Sequence, residues 1–481
     1  MLFLNQNIFY IRNHRMMMSN KVNKKQKMKT VFIPIFHALQ SRNILRTDVL
    51  RILAMYEEVR IILLVPEVKA DYYSKNFSQT NVFIEPIPNF KENWLVSFIR
   101  LSANMLLDTG SMYWRARIKL ENNKNYTEYL YSRFLAKIGH FKSIRDITRY
   151  LFCKIVKPDI FFEYFTKYDP VLVFLPDIYS TEDVYLGLEA RRKNIFTVGM
   201  VRSWDNITSK GTCLFLPDKL IVHNEELKKQ AIEILGLKPT GIEVTGLPHF
   251  DYYYGYKPTP REDFLKKLSL PINCRYLLHV PYLGTYKQSV NETLQIIDEA
   301  IKIGKLPTDL KIIVRMPPSY NAGFNDLWTS ERIFIDYPGY KINQVGKSDW
   351  EFTDSDMVHF ADSLIHASVI LNFASTVTID AAALDRPVIN LSFDGFFKKD
   401  FSHSINDIYI VDHFINVLRS EGSPRVKNKE ELFVTINNYL SNSNIDSVGR
   451  NKIVSDQCFR LDGRAGERVA NYLQEILKIL K

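Results

Sequence analysis

The stretch Asp362–Gly395, DSLIHASVILNFASTVTIDAAALDRPVINLSFDG, reads as helix, buried strand, tight turn, short helix and second buried strand. Val369–Phe373 and Val388–Leu391 are apolar runs of strand length. Between them, Ala374-Ser375-Thr376 is a small-residue turn that opens a helix, and Asp385-Arg386-Pro387 ends that helix at a proline. A strand, a Ser/Thr turn and a helix start present free backbone N–H groups to an anion such as a phosphate. Asp380, one turn beyond Thr376, is then placed to accept hydrogen bonds from ribose hydroxyls. Any α/β protein contains such units as plain architecture, so the meaning of this one depends on the rest of the chain.

Outward from this unit the chain keeps alternating strand and helix. Toward the N-terminus, Lys29–Phe36, Arg60–Val65, Asn81–Ile84, Val171–Pro176, Ile195–Val201 and Lys219–His223 read as strands, and helices are expected over Thr181–Lys193 and Asn224–Leu235. His37–Thr47 is expected as a loop. Around Thr245–Tyr256 the rhythm breaks, Pro258 and Pro260 follow, and a linker is expected. A second alternation begins with strand Tyr276–Val280, loop Pro281–Ser289, helix Val290–Lys302 and strand Leu310–Arg315. Alternation of this kind predicts α/β architecture: two Rossmann-like, doubly wound parallel domains facing across a cleft. The expected division is a basic, disordered tail over 1–28, an N-terminal domain over 29–247, a C-terminal domain over 248–462 and an amphipathic closing helix over 463–481. The N-terminal domain carries a helical, basic, aromatic insertion over about 91–157.

With 481 residues, the chain exceeds one ordinary core, and its 46% hydrophobic and 24% charged content is that of a folded protein. Cys153, Cys213, Cys274 and Cys458 are widely spaced, which argues against a disulfide framework or a zinc site and suits a reducing cytosol. The net charge of +10 is unevenly placed: residues 1–30 carry +7 and residues 111–157 carry +8, so everything else is net acidic. Concentration in two segments speaks against nucleic acid as a partner. The apolar start MLFLNQNIFYI is too short to span a bilayer, and Met16, Met17, Met18 and Met28 are each possible starts. Neither first strand is followed by G-x-G-x-x-G, and no Walker A motif occurs, against a dehydrogenase or P-loop enzyme.

Four segments carry a resemblance: VRSWDNITSKG (201–211), LIVHNEELKKQAIEILGLKPTGIEVTGLPHFD (220–251), STVTIDAAALDRPVI (375–389) and LDGRAGERVANYL (461–473). Together they resemble the GT-B glycosyltransferases, in particular the bacterial surface-polysaccharide and CDP-glycerol glycerophosphotransferase relatives. The resemblance implies a donor site in the C-terminal domain, an acceptor side in the N-terminal domain and transfer onto a surface glycan such as a capsule or lipopolysaccharide. The chain departs from the polyol-phosphate transferases in one respect. It reads Arg315-Met316-Pro317-Pro318 where they carry Arg/Lys-x-His-Pro, and their His-Gly-Thr pattern is absent. This departure favours sugar transfer.

Sugar transfer requires a stabilised diphosphate, a deprotonated acceptor hydroxyl and alignment of the two. Ser375 and Thr376 are the expected phosphate contacts and Asp380 the ribose contact, with Arg315 at a strand end and Gly284, Thr285 and Lys287 of the next loop as further donor ligands. A solvated strand-end arginine and an ordinary βα loop are the plain alternatives. His37, Asp177 and Asp205 follow strands or turns on the acceptor side and are candidate bases, and Trp204 and Asn206 are candidate acceptor contacts. Capping and turn formation are the alternatives for each. Asp354-Ser355-Asp356 reads as a helix cap and not as a metal-binding Asp-x-Asp. No metal and no cofactor are expected beyond the nucleotide-sugar substrate.

The aromatic, basic segment 111–157 suits an anionic membrane surface, which a lipid-linked acceptor needs. The expected location is therefore peripheral, at the cytoplasmic face of the membrane. Four functions stand open: a glycosyltransferase, a CDP-glycerol-type polyol-phosphate transferase, a UDP-sugar 2-epimerase-like enzyme, or a non-catalytic scaffold of the same fold.

Overall fold

The computed structural model describes residues 28–157, 159–282, 284–317, 327–342 and 350–480. Residues 1–27 of the expected basic tail, with the alternative starts Met16, Met17 and Met18, and Pro318 lie outside the described residues.

Seven strands form the first sheet: β1 (Lys29–Pro34), β2 (Val59–Pro66), β3 (Val82–Ile87), β4 (Pro170–Leu175), β5 (Phe196–Met200), β6 (Lys219–Val222) and β7 (Ile242–Val244). Their order is β3-β2-β1-β4-β5-β6-β7, and every pairing is parallel. The second half contains β8 (Arg275–His279), β9 (Leu310–Arg315), β10 (Ile333–Asp336), β11 (Tyr340–Lys341), β12 (Trp350–Glu351), β13 (Val369–Asn372), β14 (Val388–Leu391) and β15 (Arg425–Val426). Its parallel sheet runs β10-β9-β8-β13-β14-β15, while β11 and β12 pair as a separate antiparallel ribbon. The fold is thus the two-sheet α/β architecture expected from the alternation.

Parallel strands are buried on both faces, which is why they appear as unbroken apolar runs. Val31–Ile33 in β1 and Ile61–Val65 in β2 are almost fully buried. The main core is continuous between the halves: Ile44 and Val49 of the first, Trp204, and Leu277 and Phe414 of the second belong to one cluster. The closing helix, Ala465–Ile479, returns to the first sheet, where Lys29 Nζ donates to the carbonyls of Leu477 and Leu480, both at 2.6 Å. Gly466 packs on Asp48, where an added Cβ would stand 3.1 Å from the Asp48 backbone nitrogen.

Two expectations about local structure are corrected. His37–Thr47 is helical in part, with Ala38–Gln40 and a wider turn over Ser41–Leu45. Gln40 holds it: its Oε1 accepts from the N–H groups of Phe36 (2.8 Å) and His37 (2.9 Å), and its Nε2 donates to Asp183 (2.9 Å). The loop after β8 is shorter than expected, because the following helix spans Lys287–Lys302. Asp354-Ser355-Asp356 forms the first turn of a helix capped by Thr353, with Asp356 returning the bond to the Thr353 N–H at 3.0 Å.

The sheet order reverses between β1 and β4 in one half and between β8 and β13 in the other. Crevices outside the carboxyl ends of strands at such switch points are where α/β folds bind ligands. The segments after these four strands contain His37, Asp177, Tyr282 and Ser375.

Candidate active site

The turn after β13 is built by Ala374, whose φ of 45° is left-handed, a conformation that costs an alanine about 1–2 kcal/mol. Behind it, Thr378 Oγ1 lies 3.3 Å from Asn372 Oδ1 and 3.2 Å from Asn390 Oδ1, tying the Val377–Ala383 helix to the ends of β13 and β14. That helix has seven residues, so the turn's amides rather than a long helix dipole are what it offers an anion.

Ser375, Thr376 and Asp380 line a cleft of about 1010 Å³ whose opposite wall includes Leu39 and Arg42 from the segment after β1. Arg315 and Asp356 also face it, and Tyr282, Trp350, Phe352 and Phe360 supply aromatic surface. Arg42 is the residue that sequence reasoning missed, since it lies in a segment read as loop. Its guanidinium stands over the Phe352 ring at 5.2 Å, and burial holds its pKa below the ordinary arginine value, opposed by Asp380. Among the described residues it forms no ion pair, which leaves its charge available to the cleft.

Arg315 is not a solvated strand-end arginine. It is buried, ion-paired to Asp336, and its guanidinium lies 5.0 Å from the Phe360 ring. Burial raises the Asp336 carboxyl, but hydrogen bonding from His359 at 3.0 Å and the charge of Arg315 more than reverse this and leave it below the usual range. Asp380 is 5% exposed and already accepts from Tyr253 Oη at 2.9 Å. His249 Nε2 is 3.4 Å from the same carboxylate without hydrogen-bond alignment, and among the described residues neither ring nitrogen makes a hydrogen bond. Burial and then Arg42 press the His249 pKa down to about 4, so its ring is neutral at pH 7.

Gly284, Thr285 and Lys287 do not line this cleft among the described residues. Val280, Pro281 and Tyr282 do, because the chain turns inward at Tyr286, which is fully buried against Phe373.

On the other side, Asp177 is 1% exposed and paired with Arg202 at 2.7 Å. Asp205 accepts from the hydroxyls of Ser203 and Ser209, each at 2.6 Å. Burial raises its pKa, while His413 and those hydroxyls outweigh burial and lower it. Such a carboxylate is stabilised as an anion and is a weak base. Asn206 is buried and accepts from the Ser203 N–H at 3.2 Å. Trp204 packs edge-on against His413 at 4.9 Å and Phe414 at 6.0 Å, joining the two halves. His37 is half-buried, and burial followed by Arg202 lowers its pKa, which keeps it neutral at pH 7 and able to take a proton. Asp183, unremarked in the sequence, is a fully buried carboxyl pushed well up by burial and by Asp177.

The halves also meet away from the cleft. Glu351 of β12 is ion-paired to Lys69 at 3.0 Å and accepts from Tyr73 Oη at 2.6 Å, all three fully buried. Among the described residues, no group of three His, Cys, Asp or Glu side chains is arranged to hold a metal, and no helix is long and apolar enough to cross a membrane.

The family model for CDP-Glycerol:Poly(glycerophosphate) glycerophosphotransferase matches residues 202–475, more than half of the chain. The chain belongs to this family. The match starts at the Arg202 that pairs with Asp177 and ends inside the closing helix, so it spans the whole of the second sheet. No curated protein sequence matches the family member described here. Solved structures do. UDP-GlcNAc 2-epimerase from Methanocaldococcus jannaschii superposes with a TM-score of 0.53 at 14% identity, covering 93% of this chain and 100% of that one. UDP-GlcNAc 2-epimerase from Neisseria meningitidis, bound to UDP-GlcNAc, gives 0.52 at 11%, covering 93% and 100%. A glycosyltransferase from Rickettsia africae gives 0.51 at 14%, covering 94% and 99%. At these identities the likeness establishes the GT-B fold. Membership of this family makes the chain a transferase of the GT-B fold.

Proposed function

We propose that the cleft binds the nucleoside diphosphate part of a nucleotide-sugar and that the protein transfers the sugar to a hydroxyl of a surface glycan or a lipid-linked glycan. The observation that carries this reading is Arg42, which forms no ion pair among the described residues, facing Ser375, Thr376 and Asp380 across one aromatic-walled cleft. Arg42 and the turn amides at Ser375–Thr376 would hold the diphosphate, Asp380 the ribose, and Tyr282 or Phe360 would stack the base. His37 is the base. Its imidazole takes the acceptor hydroxyl proton as the oxygen bonds to the anomeric carbon, while the carbon–oxygen bond to the diphosphate breaks and the leaving group takes the negative charge. Cationic Arg42 neutralises that charge, so the reaction proceeds without a metal.

A second reading has the family match behind it: transfer of glycerol phosphate from CDP-glycerol. There a phosphorus–oxygen bond breaks and CMP leaves. Against it stand the missing histidine after Arg315 and a buried, ion-paired Arg315 in that place.

The protein is further proposed to sit at the cytoplasmic membrane face. Trp94, Phe98 and Leu101 on one helix, Tyr126, Leu130 and Phe134 on a second, and Ile147, Leu151 and Ile155 on a third are exposed at helical spacing. Exposed apolar stripes interleaved with lysine and arginine suit an anionic bilayer.

The test is product analysis with UDP-, GDP- and dTDP-sugars and CDP-glycerol in the presence of a membrane-extracted glycan acceptor. Release of a nucleoside diphosphate that disappears in His37→Gln supports sugar transfer. Release of CMP from CDP-glycerol replaces it with the second reading, and a converted donor without acceptor contradicts both.

A further inference from the structure

Two cavities lie outside the cleft, in the helical segment beside the first sheet. One is an apolar groove of about 820 Å³ between the helices Trp94–Asn104, Gly110–Asn123 and Tyr126–Gly139, lined by Leu101, Met105, Met112, Leu120 and Tyr129 among others. Leu101 belongs at once to the groove and to the exposed stripe with Trp94 and Phe98, so the groove continues the apolar outer surface. The second is a polar cavity of about 720 Å³ between the same segment and the carboxyl end of β4.

The polar cavity is cationic. Arg100, Arg115 and Lys210 line it against a single carboxylate, Glu92. Arg100 is spent on Glu92 at 2.9 Å, and Arg115 donates one bond to the Ser209 carbonyl at 2.6 Å. Lys210 forms no ion pair among the described residues; burial followed by the nearby Arg202 lowers its pKa, against the opposing pull of Asp205 and Asp177. Three polar atoms in the cavity walls, Glu92 Oε1, Tyr179 Oη and Thr212 Oγ1, are buried without hydrogen-bond partners among the described residues. Buried groups of this kind destabilise the fold unless something satisfies them.

The cavities adjoin: Asn104 and Arg115 line both. The polar one lies next to the reaction side, because Arg202, the partner of Asp177, is an electrostatic neighbour of Lys210 and also of Arg42 in the cleft. We propose that groove and cavity form one acceptor site for a lipid-linked glycan. The groove would take the first part of a long hydrocarbon chain arriving from the membrane. The polar cavity would take the phosphate or diphosphate that joins chain to sugar, with Lys210 and Arg115 on the phosphate and Glu92, Tyr179 and Thr212 on hydroxyls. This rests on the transferase reading above and goes past it by naming the acceptor's chemistry and its residues.

The experiment is calorimetric titration of the full chain with farnesyl phosphate below its micellar concentration, beside farnesol, inorganic phosphate and dihexanoyl phosphatidylglycerol. Ala116, which lines the groove, is replaced in Ala116→Phe, with Leu120→Trp as a second filling variant should the first not fold; Lys210→Ala tests the charge. Farnesyl phosphate is expected to bind at least tenfold more tightly than farnesol or phosphate. The filling variants should weaken it tenfold or more, and Lys210→Ala should weaken farnesyl phosphate while leaving farnesol unchanged. Binding that is equal in parent and filling variants is partition onto the exposed stripe and overturns the site. Equal binding of phosphatidylglycerol overturns the assignment to an acceptor in favour of ordinary membrane lipid. Nucleotide binding is read on the same samples: its absence, with farnesyl phosphate binding intact, breaks the transferase reading and leaves this site standing.

Discussion

The two sides of the cleft are made of similar parts used differently. On the side proposed for the donor, Ser375, Thr376 and Asp380 and, facing them, Arg42 converge on shared open space. On the side proposed for the acceptor, Asp177 and Asp205 have their oxygens engaged by Arg202, Ser203 and Ser209, and of the three candidate bases only His37 is neither ion-paired among the described residues nor held as an anion. A carboxylate at a strand end is therefore not by itself a functional group. What distinguishes the sides is which charges the fold leaves unneutralised.

The largest effects expected from this contrast fall on His37 and Glu351. His37→Gln removes the proposed base, and a general base contributes about 10²–10⁴-fold to turnover. The loss should appear in kcat while nucleotide affinity is kept; full activity in the variant would move the base elsewhere. Glu351→Ala leaves the buried Lys69 uncompensated and should cost about 3–5 kcal/mol in urea unfolding. By contrast, Asp354→Ala removes the 87% exposed partner of Arg46 and should cost less than about 1 kcal/mol. Equal losses from the two would mean that the Lys69–Glu351 contact does not hold the halves together.

A pH dependence comes next. Burial lowers His223, His249 and His279 to about 4, below the ordinary value near 6.5. The unfolded chain thus binds more protons between these values, and the stability from keeping the rings neutral is present above about pH 6.5. It is lost as pH falls toward 4, by ~1.4 kcal/mol per pH unit for each ring. Urea midpoints between pH 7 and 4 measure this, and His249→Asn should flatten the slope by one ring's share. The smallest effect concerns Ala374: relieving its left-handed φ, Ala374→Gly should leave the melting temperature unchanged or raise stability by up to ~1 kcal/mol, and Ala374→Val should lower it.

The strands were legible because parallel sheets bury both faces: Val369–Asn372 and Val388–Leu391 announce themselves as apolar runs, and the turn between them needs small residues. Contacts distant in sequence were not legible. Arg42 reaches the cleft because Gln40, bonded across the core to Asp183, winds an expected loop into helix. Arg315 is neutralised by Asp336 on a neighbouring strand whose presence the alternation did not reveal. Gly284, Thr285 and Lys287 looked like a phosphate loop, yet the burial of Tyr286 turns them from the cleft. Nor did the sequence tell that Trp204 serves the joint between the halves, since only His413 and Phe414, two hundred residues away, make that evident.

The most direct measurement is the thermal shift of the purified protein with UDP, GDP, CDP, CMP and dTDP, made on the parent and on Arg42→Ala. Ligand at 100 times its dissociation constant stabilises a folded protein by about 2.7 kcal/mol, a readily measured shift. One nucleotide should stabilise the parent, and removal of Arg42 should weaken that binding about 10–100-fold, the loss of one charge-assisted contact. If no nucleotide stabilises the parent at millimolar concentration, or if Arg42→Ala responds as the parent does, the cleft is not the donor site.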